Sequence, residues 1–175
     1  MSHQGIDSPS RWVERWATLI PNGGRVLDVA CGAGRHARWL AARGHVVDAV
    51  DRDAAAIASL AGVPGVHALC ADIENAGWPY KPGAYAGVIV TNYLHRPLFP
   101  ELLTALDAQG VLIYETFALG NERYGRPSKA QFLLRPGELL DVVRGQLRVV
   151  AYEDIYSDDP KPALLQRICA VKCPP

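Results

Sequence analysis

The chain has 175 residues, of which 49% are hydrophobic and 21% charged, and its formal net charge is zero. This length fits one domain (1–175) with a single core, and the composition is that of a globular protein, which excludes a disordered chain. The neutral balance argues against a protein that binds nucleic acid or an anionic membrane, because both favour a basic excess. No apolar run reaches the roughly 18 residues of a spanning helix, and no secretory signal pattern begins the chain, so we expect a soluble, cytoplasmic protein.

The four cysteines form no Cys-x-x-Cys pair. They lie in or beside apolar runs, which predicts reduced and buried thiols at Cys31, Cys70, Cys169 and Cys173. The spacing of Cys169 and Cys173 in a strand is too wide for a shared metal. We therefore expect no metal site.

Short apolar runs rich in β-branched residues alternate with helical patterns along the chain. This alternation predicts a doubly wound α/β fold with a mostly parallel sheet. The predicted strands are 25–30, 45–50, 66–70, 85–91, 110–117, 147–156 and 164–172. The predicted helices are an N-terminal helix within 1–22 and helices at 35–43, 54–61, 98–106 and 137–144. Pro136 is well placed as the first helical residue of the last of these. The connection between the last two strands is too short for a crossover helix, so these strands should pair antiparallel.

A glycine turn follows the first predicted strand, where residues 26–35 read VLDVACGAGR. Glycines at Gly32 and Gly34 let a ligand approach the backbone, and free amides at a helix start favour an anionic group. Asp51 ends the second strand, where a carboxylate can accept hydrogen bonds from both hydroxyls of a ribose. The pattern predicts a nucleoside-containing ligand, and a tight turn without a ligand is the alternative.

Asp28 lies inside the otherwise apolar first strand, four residues before the first glycine. A buried carboxylate is costly unless a partner donates a hydrogen bond to it. The ammonium group of a bound amino acid is one such donor. A buried backbone amide or an arginine is the alternative.

These residues resemble the cofactor-binding motif of class I S-adenosylmethionine-dependent methyltransferases. The resemblance lies in VLDVACGAGRH at 26–36 and in GHVVDAVD at 44–51, and the order of the elements extends it over nearly the whole chain. It is similar above all to the small, cap-less group of tellurite-resistance and thiopurine methyltransferases. The resemblance implies a Rossmann-like three-layer sandwich, whose seven-stranded sheet is mostly parallel with a C-terminal antiparallel strand, and S-adenosylmethionine as the cofactor.

The resemblance also implies a role for individual residues. The two glycines would line the methionine end of the cofactor, Asp28 would serve its amino group, and Asp51 would hold the ribose. Asp72 would face the adenine amino group and the Ile73 amide would read the ring, with a turn cap as the alternative for Asp72. The implied cofactor-binding residues are Asp28, Ala30, Cys31, Gly32, Gly34, Arg35, Asp51, Arg52, Asp72, Ile73 and Asn92.

The ends of the fourth and fifth strands should face the methyl group, because ligands of open α/β sheets lie beyond the carboxyl ends of the strands. The candidate catalytic residues there are Asn92, Tyr93, His95 and Glu115. Methyl transfer can proceed by positioning alone, but an acceptor that arrives protonated needs a base, for which His95 and Glu115 are the candidates. The alternatives are a turn residue for His95 and an ion pair with an arginine for Glu115. The segment departs from the Asn/Asp-Pro-Pro-Tyr/Phe signature of enzymes that methylate nucleic-acid bases.

The polar, aperiodic segment 118–135 is typical of a functional insertion, so we expect it on the substrate side of the domain. Arginine binds carboxylate and phosphate groups well, which predicts a small, anionic acceptor. The candidate substrate-binding residues are Arg96, Arg123, Tyr124 and Arg126. An ordinary solvated loop is the alternative.

Two other functions compete with methyl transfer. One is a domain of the same fold that binds S-adenosylmethionine without turnover and acts as an interaction partner. The other is a nicotinamide- or flavin-dependent oxidoreductase, because residues 32–37 also fit Gly-x-Gly-x-x-Ala. The early acid Asp28, the acid at Asp72 and the antiparallel pair of final strands disfavour the second.

Overall fold

The structure, a computed structural model, describes residues 8–173; residues 1–7 of the predicted N-terminal segment 1–22 lie outside the described residues. Seven strands form one sheet, in the order β3-β2-β1-β4-β5-β7-β6. The strands are Arg25–Val29 (β1), Val46–Asp51 (β2), Val66–Cys70 (β3), Tyr85–Thr91 (β4), Leu106–Phe117 (β5), Leu147–Ser157 (β6) and Ala163–Lys172 (β7). The first five are parallel, and β7 is antiparallel to both β5 and β6. The doubly wound, mixed sheet and its antiparallel C-terminal pair are thus confirmed.

In the described part of the chain, one short α-helix precedes the first strand and four others lie between strands. They are Arg11–Trp16 (α1), Arg35–Ala41 (α2), Ala54–Ala58 (α3), Phe99–Ala105 (α4) and Glu138–Val143 (α5). Polar side chains cap the N-termini of α1 and α3. The Ser10 hydroxyl accepts a hydrogen bond from the Trp12 N–H, and the Asp53 carboxylate accepts hydrogen bonds from two backbone amides at the start of α3. Within residues 8–173, no helix has the length and apolar content that crossing a bilayer requires.

The core consists of two layers of apolar side chains, one on each face of the sheet. Alternate residues of β4 supply both layers, because successive side chains of a strand point to opposite faces. Val88 and Val90 belong to the layer that contains the buried residues of α4 and α5, and Ile89 belongs to the layer that contains those of α1 and α2. All three are fully buried, so β4 is an interior strand that holds the two layers together.

Three details differ from the sequence-based expectations. Strand β5 begins at Leu106 rather than at residue 110, because Leu106 pairs with Tyr85 on the neighbouring strand. Gly137 has φ 73° and precedes α5 as its N-cap, so Pro136 is not the first helical residue. All four cysteines are free thiols, but Cys70 and Cys173 are exposed because one lies on the edge strand β3 and the other follows the last strand.

Candidate active site

The order of the strands reverses between β1 and β4, and the backbone is unusual at the end of each. Ala30 follows β1 with φ 53°, and Asn92 follows β4 with φ 54°. They are the two non-glycine residues with positive φ among residues 8–173. This conformation costs on the order of 1 kcal/mol for a residue with a Cβ atom and is concentrated at functional sites. Ligands of doubly wound folds bind where the strand order reverses, so the two residues mark the expected site.

The glycine turn from β1 to α2 depends on close packing and on Asp51. Gly34 has φ 75°, which favours glycine, and a Cβ atom there would lie 2.5 Å from the Leu60 side chain, which would have to shift. The Gly32 amide donates to one carboxylate oxygen of Asp51 at 2.8 Å, and the Asp53 amide donates to the other at 2.9 Å. Each carboxylate oxygen has two lone pairs, so Asp51 can still accept hydroxyl donors from a ligand.

A cavity of about 390 Å³ opens beyond the carboxyl ends of the strands, and we call it the main cleft. This volume is within the range of small-molecule sites, roughly 300–1,000 Å³. Predicted cofactor residues form one side of it: Ala30, Asp51, Arg52, Asp72, Ile73 and Asn92. Carboxylates and the buried Ile73 side chain therefore border the same space, which suits a ligand with hydroxyl or amino groups on a flat apolar ring.

Asp72 lies in the wall of the main cleft and also caps the turn that follows it. Its carboxylate accepts the Asn75 side-chain amide at 2.9 Å and the Glu74 backbone amide at 3.0 Å. The hydrogen bond from the Asn75 side chain is the main reason why the pKa of Asp72 is below its usual range. The turn cap considered from the sequence is present, and contact with adenine stays a prediction.

Asp28 is almost fully buried beneath the glycine turn, with 1% of its surface exposed. Its carboxylate accepts the Ala37 amide in the first turn of α2 at 3.1 Å, so a backbone partner is present. Burial raises the pKa of Asp28 to about 7, and the hydrogen bond from Ala37 only partly offsets this effect. Contact with a cofactor ammonium group stays a prediction.

A three-residue polar cluster lies at the edge of the main cleft and centres on Glu74. The Tyr93 hydroxyl donates to one Glu74 oxygen at 2.9 Å, and His95 Nδ1 lies 3.7 Å from the other. Burial and the hydrogen bond to Glu74 raise the pKa of the Tyr93 phenol. Sequence reasoning missed Glu74, although its place two residues after Asp72 puts it beside the end of β3. Glu74 therefore binds Tyr93 and lies near His95, two of the four candidate catalytic residues.

A second cavity of about 340 Å³ lies between the N-terminal residues 8–11, which we call the strap, and the hairpin that joins β6 to β7. We call this cavity the strap pocket. Glu115 lies in its wall, buried, and is held by the Ser10 hydroxyl at 2.7 Å and by an ion pair with Arg167. The arginine partner considered for Glu115 is present. The role of base for Glu115 stays a prediction.

The strap is also fastened to α2. His36 Nε2 accepts the Ser10 amide at 3.0 Å, and His36 Nδ1 lies 3.5 Å from the Thr91 hydroxyl. Burial lowers the pKa of His36 to about 3, so the ring is neutral and able to accept this hydrogen bond. Sequence reasoning missed His36, because its partners lie far away along the chain.

A third, more open cavity lies over the glycine turn, and we call it the glycine-turn cleft. Predicted cofactor residues line it: Ala30, Cys31, Gly32, Arg35 and Asn92. Asn92 and Phe117 line this cleft, the main cleft and the strap pocket. The three cavities therefore meet at the ends of β4 and β5.

The predicted substrate-binding residues are not brought together. Arg96 makes a bidentate ion pair with Glu138, at 2.6 and 2.9 Å, and donates to two carbonyl groups of the insertion 118–135. Arg123, Tyr124 and Arg126 are exposed and lie outside the lining of the three cavities. The insertion reaches the main cleft through two other residues, Pro127 and Phe132. Binding of an acceptor by the four residues stays a prediction.

Comparison with known proteins gives a family match for part of the chain. Residues 26–110 match the sequence profile of a family described as a methyltransferase domain. No curated protein matches the chain. The match covers β1 to the start of β5, which includes the glycine turn, Asp51, Asp72 and Asn92.

Solved structures share the fold at low sequence identity. TehB from Haemophilus influenzae superposes with a TM-score of 0.77 at 18% identity, over 97% of this chain and 64% of that one. A TehB-like S-adenosylmethionine-dependent methyltransferase from Corynebacterium glutamicum gives 0.67 at 20% identity, over 92% and 86%. Geranyl diphosphate C-methyltransferase from Streptomyces coelicolor, solved with S-adenosylhomocysteine, gives 0.65 at 18% identity, over 92% and 78%. These likenesses concern the fold.

Residues 26–110 thus match a methyltransferase-domain family, and the fold is the one found in class I S-adenosylmethionine-dependent methyltransferases. The family implies S-adenosylmethionine as the cofactor. The residues present fit this group. Three acids and several apolar side chains line the main cleft, and the glycine turn lines the adjoining cleft.

Proposed function

We propose that this methyltransferase acts on a small, anionic acceptor molecule, and that positioning supplies most of the catalysis. One observation carries the proposal: three cavities meet at Asn92 and Phe117, beyond the point where the strand order reverses. Two of the cavities suit the two halves of the cofactor. The third leaves room for a second molecule beside them.

The main cleft would hold the nucleoside half. Asp51 would accept hydrogen bonds from the ribose hydroxyls, because its carboxylate lies in the cleft wall and retains free lone pairs. Asp72 and Ile73 would border the adenine ring. The backbone at Gly32 and Gly34 would line the methionine half, with Asp28 beneath it. When bound, S-adenosylmethionine supplies an electrophilic methyl group on its sulfonium.

The ends of β4 and β5 would position the acceptor. Asn92 and Phe117 border all three cavities, so an acceptor in the third cavity would lie beside them. Correct alignment of two reactants can lower a barrier by roughly 7–11 kcal/mol without proton transfer. An acceptor that is already anionic at its reacting atom needs no base, which agrees with the engagement of Glu115 by Arg167.

His95 is the remaining candidate for a base when the acceptor arrives protonated. Its Nδ1 faces Glu74, and this neighbour would hold the ring so that Nε2 is the nitrogen free to take a proton. Retention of near-normal turnover in both His95→Ala and Glu115→Gln, on an identified acceptor, would show that neither residue is a base.

We propose further that the protein works in the cytoplasm and does not act on nucleic acid. The four free thiols support a reducing compartment. The balanced net charge supports an acceptor other than DNA or RNA.

The proposal is tested by incubating the protein with CD3-labelled S-adenosylmethionine and a fractionated metabolite extract. We expect a CD3-labelled product from the anionic fraction, with release of S-adenosylhomocysteine. Asp51→Asn should lose this activity, and the exposed control Asp141→Asn should keep it. Cofactor binding without a labelled product from any fraction would instead indicate a binding module, and a product from the neutral fraction alone would contradict an anionic acceptor.

A further inference from the structure

The strap pocket lies beside the cofactor clefts and has the composition of a binding site for a small anion. We propose that it is the acceptor site, and that Arg35 and Lys161 bind there the carboxylate or phosphate group of the acceptor. This inference rests on the proposed methyl transfer. It goes further by naming the pocket, the two cations and the chemical class of the molecule.

The strap pocket is lined by more basic than acidic side chains. Four basic and two acidic side chains line the strap pocket. Glu115 is paired with Arg167, and Asp159 lies 3.1 Å from Arg11 Nε. Both acids are thus neutralised by another residue.

Arg35 and Lys161 have no carboxylate within ion-pair distance among residues 8–173. Arg35 donates a hydrogen bond at 3.2 Å to the carbonyl oxygen of Ser8, which is a neutral partner. Two cations that have no ion-pair partner in this part of the chain can attract an anion to the concave wall and donate charge-assisted hydrogen bonds to it.

The two cations are placed where methyl transfer would occur. Arg35 and Lys161 line the strap pocket and also the glycine-turn cleft, together with Asn92 and Phe117. If they bind the anionic group of the acceptor, this group lies beside the methionine half of the cofactor. The insertion 118–135 offers no such position, because its arginines lie outside the lining of the three cavities.

The rest of the pocket indicates a small molecule with an apolar part. The lining also includes the apolar residues Pro9, Phe117, Ala163 and Leu165. The volume of about 340 Å³ is at the lower end of the range for small-molecule sites. A compact organic acid or phosphate ester fits this description, whereas a folded protein or a nucleic-acid strand does not.

The test is calorimetric titration of the protein saturated with S-adenosylhomocysteine. The first probes are small carboxylates, each compared with its neutral amide, beginning with benzoate and benzamide. A second pair compares phenyl phosphate with phenol. We expect at least one anion to bind about tenfold more tightly than its neutral partner. The carboxylate and phosphate arms show which group the pocket prefers.

Variants then locate the site. Arg35→Gln and Lys161→Gln should each weaken the anion about fivefold or more, because each removes one charge-assisted contact. The exposed controls Arg144→Gln and Lys129→Gln should bind it as the wild type does. In Lys161→Gln and the two control variants the affinity for S-adenosylhomocysteine should stay within about twofold of the wild-type value, which also shows that these variants are folded. Because Arg35 is also a predicted cofactor residue, the folding of Arg35→Gln is checked by its thermal unfolding midpoint instead.

Three results would overturn the inference. The first is the absence of any preference for anions in the wild type. The second is loss of anion binding in Arg123→Gln or Arg126→Gln instead, which would move the site to the insertion. The third is loss of S-adenosylhomocysteine affinity in Arg35→Gln and Lys161→Gln with unchanged anion binding, which would assign both cations to the cofactor. Failure of the wild type to bind S-adenosylhomocysteine at all would contradict the proposed function itself.

Discussion

The Asp28 carboxylate, in the middle of β1, accepts the Ala37 amide of α2 at 3.1 Å. This hydrogen bond joins the strand to the helix across the glycine turn. It also gives the buried carboxylate a hydrogen-bond donor. Burial still raises its pKa to about 7, so Asp28 changes its charge near neutral pH.

Cofactor affinity should depend on the charge of Asp28. A cofactor ammonium group placed near this residue favours the ionised carboxylate, whose population rises through the pKa of about 7. We expect the affinity for S-adenosylhomocysteine to rise about tenfold from pH 6 to pH 8, because about a tenth of Asp28 is ionised at the lower value. Calorimetry across this range measures it. The affinity of Asp28→Asn should be flat, and the same slope in the variant would assign the effect to another group.

His36 should make the fold sensitive to acid. Its folded pKa of about 3 is below the unfolded value of 6.5, so its contribution to stability is complete above pH 6.5 and is lost as the pH falls toward 3. Between pH 7 and pH 5 the loss is about 2 kcal/mol. Asp28 acts in the opposite direction, since its folded pKa is above its unfolded value of 3.8 and protonation relieves the cost of burial.

The two effects nearly cancel in the wild type, so single variants are needed to separate them. The free energy of unfolding of Asp28→Asn should fall by about 2 kcal/mol from pH 7 to pH 5, because His36 then acts alone. That of His36→Gln should rise by a similar amount over the same interval. Urea titrations at a series of pH values measure both, and parallel curves for the two variants would show that neither group titrates as described.

Arg96 should stabilise the insertion 118–135. Arg96→Gln leaves the buried Glu138 carboxylate without its bidentate partner, which should cost about 2 kcal/mol of unfolding free energy. Arg144→Gln breaks a pair in which both side chains are mostly exposed, so its cost should stay below about 0.5 kcal/mol. Equal stability of the two variants, with loss of acceptor binding in Arg96→Gln, would favour the substrate role expected from the sequence.

Ala30 should be under backbone strain. Ala30→Gly removes the Cβ atom from a residue at φ 53°, so we expect the variant to be up to about 1 kcal/mol more stable. Ala33→Gly in the same turn relieves no such strain and should lower stability by roughly 0.5 kcal/mol through the entropy of the unfolded chain. Equilibrium denaturation of the pair checks the difference, which would be absent if Ala30 were relaxed.

Features encoded by neighbouring residues were predictable. The alternation of apolar runs located all seven strands, and the short connection before β7 gave the antiparallel pair. The strand, glycine turn and acid pattern at 26–51 indicated where the clefts lie. Local signals were weaker at segment ends, so the extra residues of β5, which depend on pairing with Tyr85, were not predicted.

Features that depend on distant partners were not predictable from the residues alone. His36 meets Ser10 and the strap meets the β6–β7 hairpin only through the tertiary fold. An arginine partner was considered for Glu115, but the residues alone could not show that it is Arg167. The positive φ of Asn92 was also not predictable, because glycine is the residue that usually indicates this conformation. For the same reason the basic residues of the insertion were the visible candidates for anion binding, whereas Lys161 was not considered.

Calorimetric titration with S-adenosylhomocysteine tests most directly whether the clefts hold this cofactor. We predict one binding site per chain, at least tenfold weaker binding by Asp51→Ala, wild-type binding by the exposed control Asp141→Ala, and no heat of binding with NAD. Absence of binding to the wild type, or equal affinity in Asp51→Ala, would contradict the assignment of the main cleft to the nucleoside.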